Sequence, residues 1–207
     1  MWDENSAFLF QRSGQGRGAQ ARCFGCVKTD SKTPPTAREL LGLGDDGGET
    51  EEIDWADGQT REKFVERHFG NWFPEAKRIF LAMTDKPALR PLYMLPVGLT
   101  WVSQPGLTLL GDAAHLMTPF AGVGVNTAMM DALELADGIV NCVKAGRTGS
   151  DSLAAMLHDY EKGMFARSGK EAAKTDAAMR LQFQPDGAER MIAVMSNGLG
   201  PENAKFE

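Results

Sequence analysis

The stretch LTLLGDAAHLMTPFAGVGVNTAMMDALELADGIV, residues 107–140, decides how the chain is interpreted. Its first four residues form a short, nearly continuous apolar run, which is typical of a buried parallel strand. A loop rich in Gly and Pro follows, and apolar residues then recur at helical spacing from about Gly124–Asn126 to Lys144. The order strand, turn, helix predicts a ligand site at the carboxyl end of the strand, where open α/β sheets bind their ligands.

The residues of this turn indicate the kind of ligand. Gly111 lets a ligand approach the backbone closely, and Asp112 can accept hydrogen bonds from ligand hydroxyls but repels phosphate. Pro119, Gly122 and Gly124 shape a loop whose N–H groups can point inward, and the following helix adds a positive end of about half a charge. This combination suits a polyol chain joined to a ring that becomes anionic. The alternative is that Asp112 only caps a turn.

The same residues resemble a known motif. GDAAHLMTPFAGVGVN, residues 111–126, is similar to G-D-A-A-H-x-x-x-P-x-x-G-x-G-x-N, the second FAD motif of the group A FAD-dependent aromatic hydroxylases. The likeness is closest to the flavin monooxygenases that inactivate tetracyclines. It covers most of the chain and is weak near 30–60. The resemblance implies FAD as cofactor, NADPH as transient reductant, and hydroxylation of an aromatic or polyketide-like small molecule through a flavin C4a-hydroperoxide.

The resemblance also implies roles for individual residues. Asp112, with Gly111, would bind the ribityl side of FAD, and the positive helix end would stabilise the reduced ring. Because the flavin carries the chemistry, no catalytic side chain is expected. The remaining implied contacts are to the flavin from Pro119, Gly122, Gly124, Val125 and Asn126, and to the substrate from Pro119, Phe120 and Gln182. The closest relatives have His-Phe-Gly where this chain has Cys23-Phe24-Gly25, so their substrate does not carry over.

The resemblance predicts an α/β chain that is the C-terminal part of a Rossmann-like flavoprotein hydroxylase fold, with a remnant of the β-sheet substrate domain and a long C-terminal helix. The predicted divisions are 1–104, partial substrate-binding domain; 105–148, last strand and helix of the FAD-binding domain; and 149–207, C-terminal helices. The family's opening βαβ unit has no counterpart here, so we expect an N-terminally truncated chain. The alternatives are a non-enzymatic remnant that binds a small molecule or partner, and an enzyme completed by a separate N-terminal half.

Two other motifs have simpler explanations. GQGRGA, with Gly14, Gly16 and Ala19, matches G-x-G-x-x-A, but strand-like residues follow it where a dinucleotide site needs a helix. We therefore predict a hairpin between strands near 6–10 and 21–28. Cys23 and Cys26 form a C-x-x-C, which can mark a redox pair or half a zinc site. The surrounding strand pattern favours two unrelated cysteines, because residues i and i+3 of a strand point to opposite faces.

Local patterns predict further elements of the fold. A short helix is expected near Ala37–Leu41, and helical spacing and capping residues predict helices that begin near Thr60, Pro74 and Asp151. The segments 88–96 and 107–110 are strand-like.

Other predictions concern the helix after the motif. We predict a structural role for His115 and core positions for Met129 and Met130, and we interpret Asp131 and Glu134 as solvated. The net charge of -6 argues against a nucleic-acid partner. No apolar stretch reaches the ~20 residues that span a bilayer. Together with an acidic N-terminus, this predicts a cytoplasmic protein.

Overall fold

The computed structural model describes residues 5–13, 20–29, 33, 35–43, 53–83 and 85–196. The chain separates into two compact units. The first comprises Met1–Pro91 with Gln182–Ala188, and the second comprises Leu92–Leu181 with Glu189–Glu207. The domain boundaries predicted at 104 and 148 stay a prediction. The mixture of a small sheet with long helices agrees with a partial α/β flavoprotein.

A two-stranded antiparallel sheet opens the first unit. β1 (Ser6–Ser13) pairs with β2 (Gln20–Val27), and Ser13 lies opposite Gln20 at the end of the ladder. The predicted hairpin is therefore confirmed, although the turn with Gly14, Gly16 and Ala19 lies outside the described residues. A Cβ added at Gly25 would lie 2.8 Å from Cζ of Phe80, so this glycine lets β2 pack closely on the helices.

Three helices complete the first unit at the positions that the sequence predicts: α1 (Ala37–Leu40), α2 (Gly58–Phe69) and α3 (Pro74–Leu81). Asp57 caps α2: its carboxylate accepts hydrogen bonds from the backbone N–H groups of Gln59 and Thr60. N–H groups in the first turn of a helix have no partner within the helix, so this cap satisfies two of them. The apolar core lies between α2 and α3 and consists of Val65, Phe69, Trp72, Ala76 and Phe80.

The second unit begins with extended chain where the sequence predicts strands. Residues 88–96 and 107–110 are not strands; the regular pairing near them is an isolated bridge between Gln104 and Leu107. This prediction was wrong for a physical reason: a strand needs a neighbour to satisfy its backbone, and the described residues supply none. Leu95 instead donates its N–H to the carbonyl of Leu116, 2.9 Å away, beside the Gly-rich turn.

Helices form the rest of the second unit. A short α4 (Asp112–His115) is followed by a 3-10 turn (Pro119–Ala121), α5 (Gly124–Lys144) and the long α6 (Ser150–Gln182). A last helix, α7, covers Gly187–Ser196 after Pro185. The predicted long C-terminal helix is confirmed. Buried residues recur along α6 at helical spacing, so one face of α6 packs against the unit.

The packing of α5 reverses the expectation for its apolar residues. Its buried positions are Thr127, Asp131 and Cys142. Met129 and Met130 are 67% and 43% exposed, so the prediction that they are core residues was wrong. The small and polar face of α5 lies against α6, where a Cβ at Gly138 would come within 2.8 Å of the Met156 sulfur. The apolar face has no cover among the described residues, which removes the reason for its burial.

Candidate functional site

The Gly111 turn has a backbone that glycine alone adopts readily. Its φ of 59° and ψ of -142° lie outside the regions that residues with a Cβ favour. A Cβ at this position would also lie 3.2 Å from Cβ of Ala128 on α5. Conformation and close approach therefore both require Gly111, and the turn presents Asp112 as the first residue of α4.

A buried carboxylate on α5 holds the Gly111 turn in place. Asp131 is fully buried, and its Oδ2 accepts the Gly111 N–H at 3.1 Å and His115 Nε2–H at 2.5 Å. Its Oδ1 accepts from Arg167 Nη2 at 2.8 Å, and Arg167 Nη1 donates to Glu134 at 2.6 Å. Asp131 thus joins α4, α5 and α6. The interpretation of Asp131 as solvated was wrong, whereas the structural role predicted for His115 is confirmed.

The ionisation of this cluster follows from its contacts. Burial alone raises the pKa of Asp131, but hydrogen bonds from Arg167, His115 and Gly111 outweigh burial and lower it. Burial lowers the pKa of Arg167, and its bonds to Asp131 and Glu134 more than reverse that effect. Both groups are therefore charged near neutral pH. Glu134 pairs with Arg167 and keeps 39% of its side chain exposed, so the interpretation of Glu134 as solvated is confirmed in part.

A second buried carboxylate holds the segment that leads into the turn. Glu161 on α6 accepts hydrogen bonds from Trp101 Nε1 at 3.0 Å, from Thr108 Oγ1 at 2.8 Å and from Ser103 Oγ. Burial raises the pKa of Glu161, and these three bonds lower it overall. Tyr160 donates to the Leu109 carbonyl at 3.2 Å, and burial, with nearby carboxylates, raises the pKa of Tyr160 to about 12.

The loop after α4 is attached to the same long helix. Thr175 Oγ1 donates to the Thr118 carbonyl at 2.6 Å and accepts the Ala121 N–H at 3.3 Å. Gly122 then turns the chain with a φ of 65°, and a Cβ added there would meet no atom within 4 Å. The space beside Gly122 is therefore open for a ligand.

The start of α5 offers free donors toward that space. Val123, at the N-cap, makes no side-chain capping bond, and the first backbone bond of the helix joins the Thr127 N–H to the Val123 carbonyl at 3.0 Å. The N–H groups of Gly124, Val125 and Asn126 precede this bond, so they have no acceptor within the helix. Together with the helix dipole they favour an anionic or strongly accepting ligand.

The sequence-predicted residues come together in part. Within residues 111–126 the structure places the exposed Asp112 carboxylate, the exposed Pro119, the half-buried Phe120 and the open helix start in one segment anchored to α6. Asp112 makes no hydrogen bond through its side chain to the described residues, so it is available to a ligand. Gln182 is the last residue of α6 and belongs to the other compact unit.

Several residues that build the site carry no motif signal. Asp131, Glu161 and Thr175 are buried and polar, and each fixes backbone or side chains of the motif segment. The one available signal is spacing: Asp131 falls four residues after Thr127, on the helix face opposite the apolar stripe. Polar residues on such a face are ordinarily solvated, so the sequence favoured the wrong environment.

The chain is similar to a known domain family and to several known proteins. Residues 99–168 match the family described as FAD binding domain. The chain is 34% identical over 145 residues to the monooxygenase asqM of Emericella nidulans, which covers 62% of this chain and 33% of that protein. It is 33% identical over 141 residues to the monooxygenase penA of Penicillium thymicola, covering 63% and 32%. It is also 30% identical over 104 residues to the FAD-dependent monooxygenase nscC of Arthroderma otae, covering 50% and 25%.

The match to the FAD binding domain includes the Gly111 turn and the start of α5. Over these residues and beyond them, the chain is similar to proteins named as monooxygenases. It spans about a third of the length of the first two relatives. The special likeness to tetracycline-inactivating enzymes stays a prediction.

The residues present fit FAD by an observation independent of these matches. The unbonded N–H groups at the start of α5 suit the electron-rich edge of the flavin ring, and the free Asp112 carboxylate suits the ribityl hydroxyls. Asp112 would hold the ribityl chain, and Gly122, Gly124, Val125 and Asn126 would hold the ring.

The two cysteines of the C-x-x-C motif lie on β2. Cys23 and Cys26 are free thiols, and burial raises the pKa of both, which disfavours the thiolate that a redox pair uses. Across the described residues, no group of three or more His, Cys, Asp or Glu side chains is arranged to hold a metal ion. In the same part of the chain, no helix combines the length and apolarity that a membrane span needs.

Proposed function

We propose that this chain supplies part of the active site of an FAD-dependent, NAD(P)H-using monooxygenase that hydroxylates an aromatic or polyketide-like small molecule. The observation that carries the proposal is the pairing of a free Asp112 carboxylate with an open helix start only a loop away, both anchored to buried side chains. The relatives named as monooxygenases support the reaction class. NADPH, the substrate class and the cytoplasmic location stay predictions.

The chain's own residues would bind and orient the cofactor. Asp112 would accept hydrogen bonds from the ribityl hydroxyls, and the N–H groups of Gly124, Val125 and Asn126 would stabilise the negative charge that the ring gains on reduction. Bound flavin, once reduced, supplies the oxygen-transfer chemistry. Pro119 and Phe120 lie on the loop between these two contacts, where they would pack against the substrate ring; Gln182 is proposed as a further substrate contact.

Flavin titration of the purified chain tests this function. We expect FAD binding, followed by flavin fluorescence, and we expect Asp112→Ala to weaken it about tenfold, because hydrogen bonds to charged groups contribute about 1.5–3 kcal/mol. Asp137→Ala, an exposed carboxylate on α5, is the matched control and should bind FAD like the wild-type chain. Equal affinity of the Asp112→Ala and wild-type chains would show that Asp112 does not hold the flavin.

A second candidate is that the chain completes its flavin site with a further part of the FAD-binding domain, on the same or another polypeptide. The observation that favours it is the exposure of large apolar side chains before the turn and along α5, namely Leu107, Leu109, Leu110, Met129, Leu133, Ile139 and Val143. Such exposure marks an interaction site. The chain alone should then bind the dye ANS strongly and FAD weakly. Stoichiometric FAD binding without ANS binding would contradict this candidate.

A further inference from the structure

Thr175 lies where two ends of the candidate flavin loop meet α6. It is fully buried, and its hydroxyl proton goes to the Thr118 carbonyl at 2.6 Å. With that proton committed, Thr175 Oγ1 acts as acceptor for the Ala121 N–H at 3.3 Å and for the Thr118 hydroxyl at 3.2 Å. One side chain therefore joins the residue before the 3-10 turn to the last residue of that turn.

The start of the loop lacks two common sources of hydrogen bonds. Pro119 has no N–H to donate, and Thr118, at the start of the turn, makes no side-chain capping bond. Within the turn, the Gly122 N–H donates to the Pro119 carbonyl at 3.0 Å. Because Gly122 then adopts a left-handed conformation, the direction in which the chain enters α5 depends on where the turn is held.

Loss of the hydroxyl would remove the partner that Thr175 gives to the buried Thr118 carbonyl and to the half-buried Ala121 N–H. Thr118 is only 4% exposed, so its carbonyl could not readily form a hydrogen bond with water instead. A buried polar group without a partner costs free energy, and the loop would have to move for these groups to find new partners. The consequence falls on Pro119, Phe120 and the helix start beyond Gly122.

We propose that Thr175 is a positioning residue for the flavin loop, acting through its hydroxyl and without touching the flavin. The proposal rests on the proposed function, because residues 119–126 are the ones assigned there to the flavin and the substrate. It adds a residue that lies far along the chain from the motif and that no motif pattern indicates.

Two near-isosteric variants separate the hydroxyl from the packing. Thr175→Val keeps the shape and removes the hydroxyl, whereas Thr175→Ser keeps the hydroxyl and removes one methyl group. A bridging role predicts that the valine variant is impaired and the serine variant resembles the wild-type chain. A packing role predicts the reverse order.

Amide hydrogen exchange measured by NMR on the flavin-free chain reads out the loop directly. In Thr175→Val we expect the Ala121 amide to exchange about tenfold faster, the change expected from loss of one net hydrogen bond. The Thr127 amide, which bonds within α5, serves as the internal control and should not change. Unchanged Ala121 exchange in Thr175→Val would overturn the proposal.

FAD titration of the same variants gives the functional readout. We expect the dissociation constant to rise about tenfold in Thr175→Val and less than about twofold in Thr175→Ser, with an altered absorbance spectrum of the bound flavin in the valine variant. A loosened loop with unchanged FAD affinity and spectrum would overturn the positioning role. Failure of the wild-type chain to bind FAD would contradict the proposed function, while the exchange experiment would still decide whether Thr175 fixes the loop.

Discussion

The two compact units differ in the side chains that they bury. The first has a core of apolar and aromatic side chains, in which Phe69 contacts Phe80 in a stacked pair with ring centroids 4.5 Å apart. In the second, the fully or almost fully buried side chains include Asp131, Glu161 and Thr175. An apolar core is tolerant of geometry, whereas a buried hydrogen-bonding group needs its partners at fixed positions. The second unit has an apolar cluster of its own, formed by Ala114, Tyr160 and Met164, and its buried polar side chains additionally hold the motif segment in place.

The largest expected effect concerns the apolar core of the first unit. Phe69 is 1% exposed, so Phe69→Ala should lower the free energy of unfolding by about 3–5 kcal/mol through lost burial and the cavity left behind. Phe73→Ala removes a phenylalanine that is 70% exposed in the same unit and should change stability by less than about 0.5 kcal/mol. Urea denaturation measures both, and equal losses would contradict the assignment of this core.

The next largest effect concerns the buried ion pair between Asp131 and Arg167 in the second unit. Asp131→Asn should lower the free energy of unfolding by about 3 kcal/mol, because it leaves Arg167 without its buried counter-charge; its remaining bond to Glu134 and partial exposure keep the loss at the low end of the range. Asp137→Asn, exposed on the same helix, is the control and should have little effect. Urea denaturation at neutral pH measures the difference.

The pH dependence of that loss separates the two kinds of core. The folded-state pKa of Asp131 is lowered, so its contribution is complete above its unfolded value of 3.8 and is lost as the pH falls through the folded pKa. The difference between wild type and Asp131→Asn should therefore shrink below about pH 4. The Phe69→Ala difference should not depend on this titration. If the difference in free energy of unfolding between wild type and Asp131→Asn stayed constant at low pH, the ionised carboxylate would not be the stabilising group.

The smallest effects compare two glycines of the motif. Gly111→Ala should cost about 2–3 kcal/mol, since both its backbone and the nearby Ala128 oppose a Cβ. Gly122→Ala should cost about 1 kcal/mol, because it meets only the left-handed backbone penalty in open space. Thermal unfolding of both variants measures the order. Equal costs would show that contact with Ala128 does not constrain the turn.

Local patterns allowed most of the helices and the hairpin to be predicted from the sequence. Helical spacing, the Pro at position 74 and the break before Asp151 define α2, α3, α5 and α6 to within a few residues. The Gly-rich segment between two alternating runs defines the hairpin. These signals are local, so the rest of the fold does not override them.

Features that depend on distant partners were not predictable in this way. The run 107–110 reads as a strand, but strand pairing depends on residues elsewhere in the chain, and the described part provides no neighbour. The Asp131 carboxylate reads as solvated because its partner Arg167 lies on another helix, and Thr175 is an ordinary helix residue until Thr118 is placed beside it. The motif predicted the candidate site; the side chains that anchor it became visible only through tertiary packing.

The central claim is that the flavin half-site lies on residues 111–126 of the second unit. Amide chemical shifts of the ¹⁵N-labelled chain during FAD titration test it most directly. We expect the largest shift changes at Gly111, Asp112, Gly122 and Gly124–Asn126, while the amides around Phe69 in the first unit remain unchanged. Saturable shifts confined to the first unit, with none in residues 111–126, would contradict it.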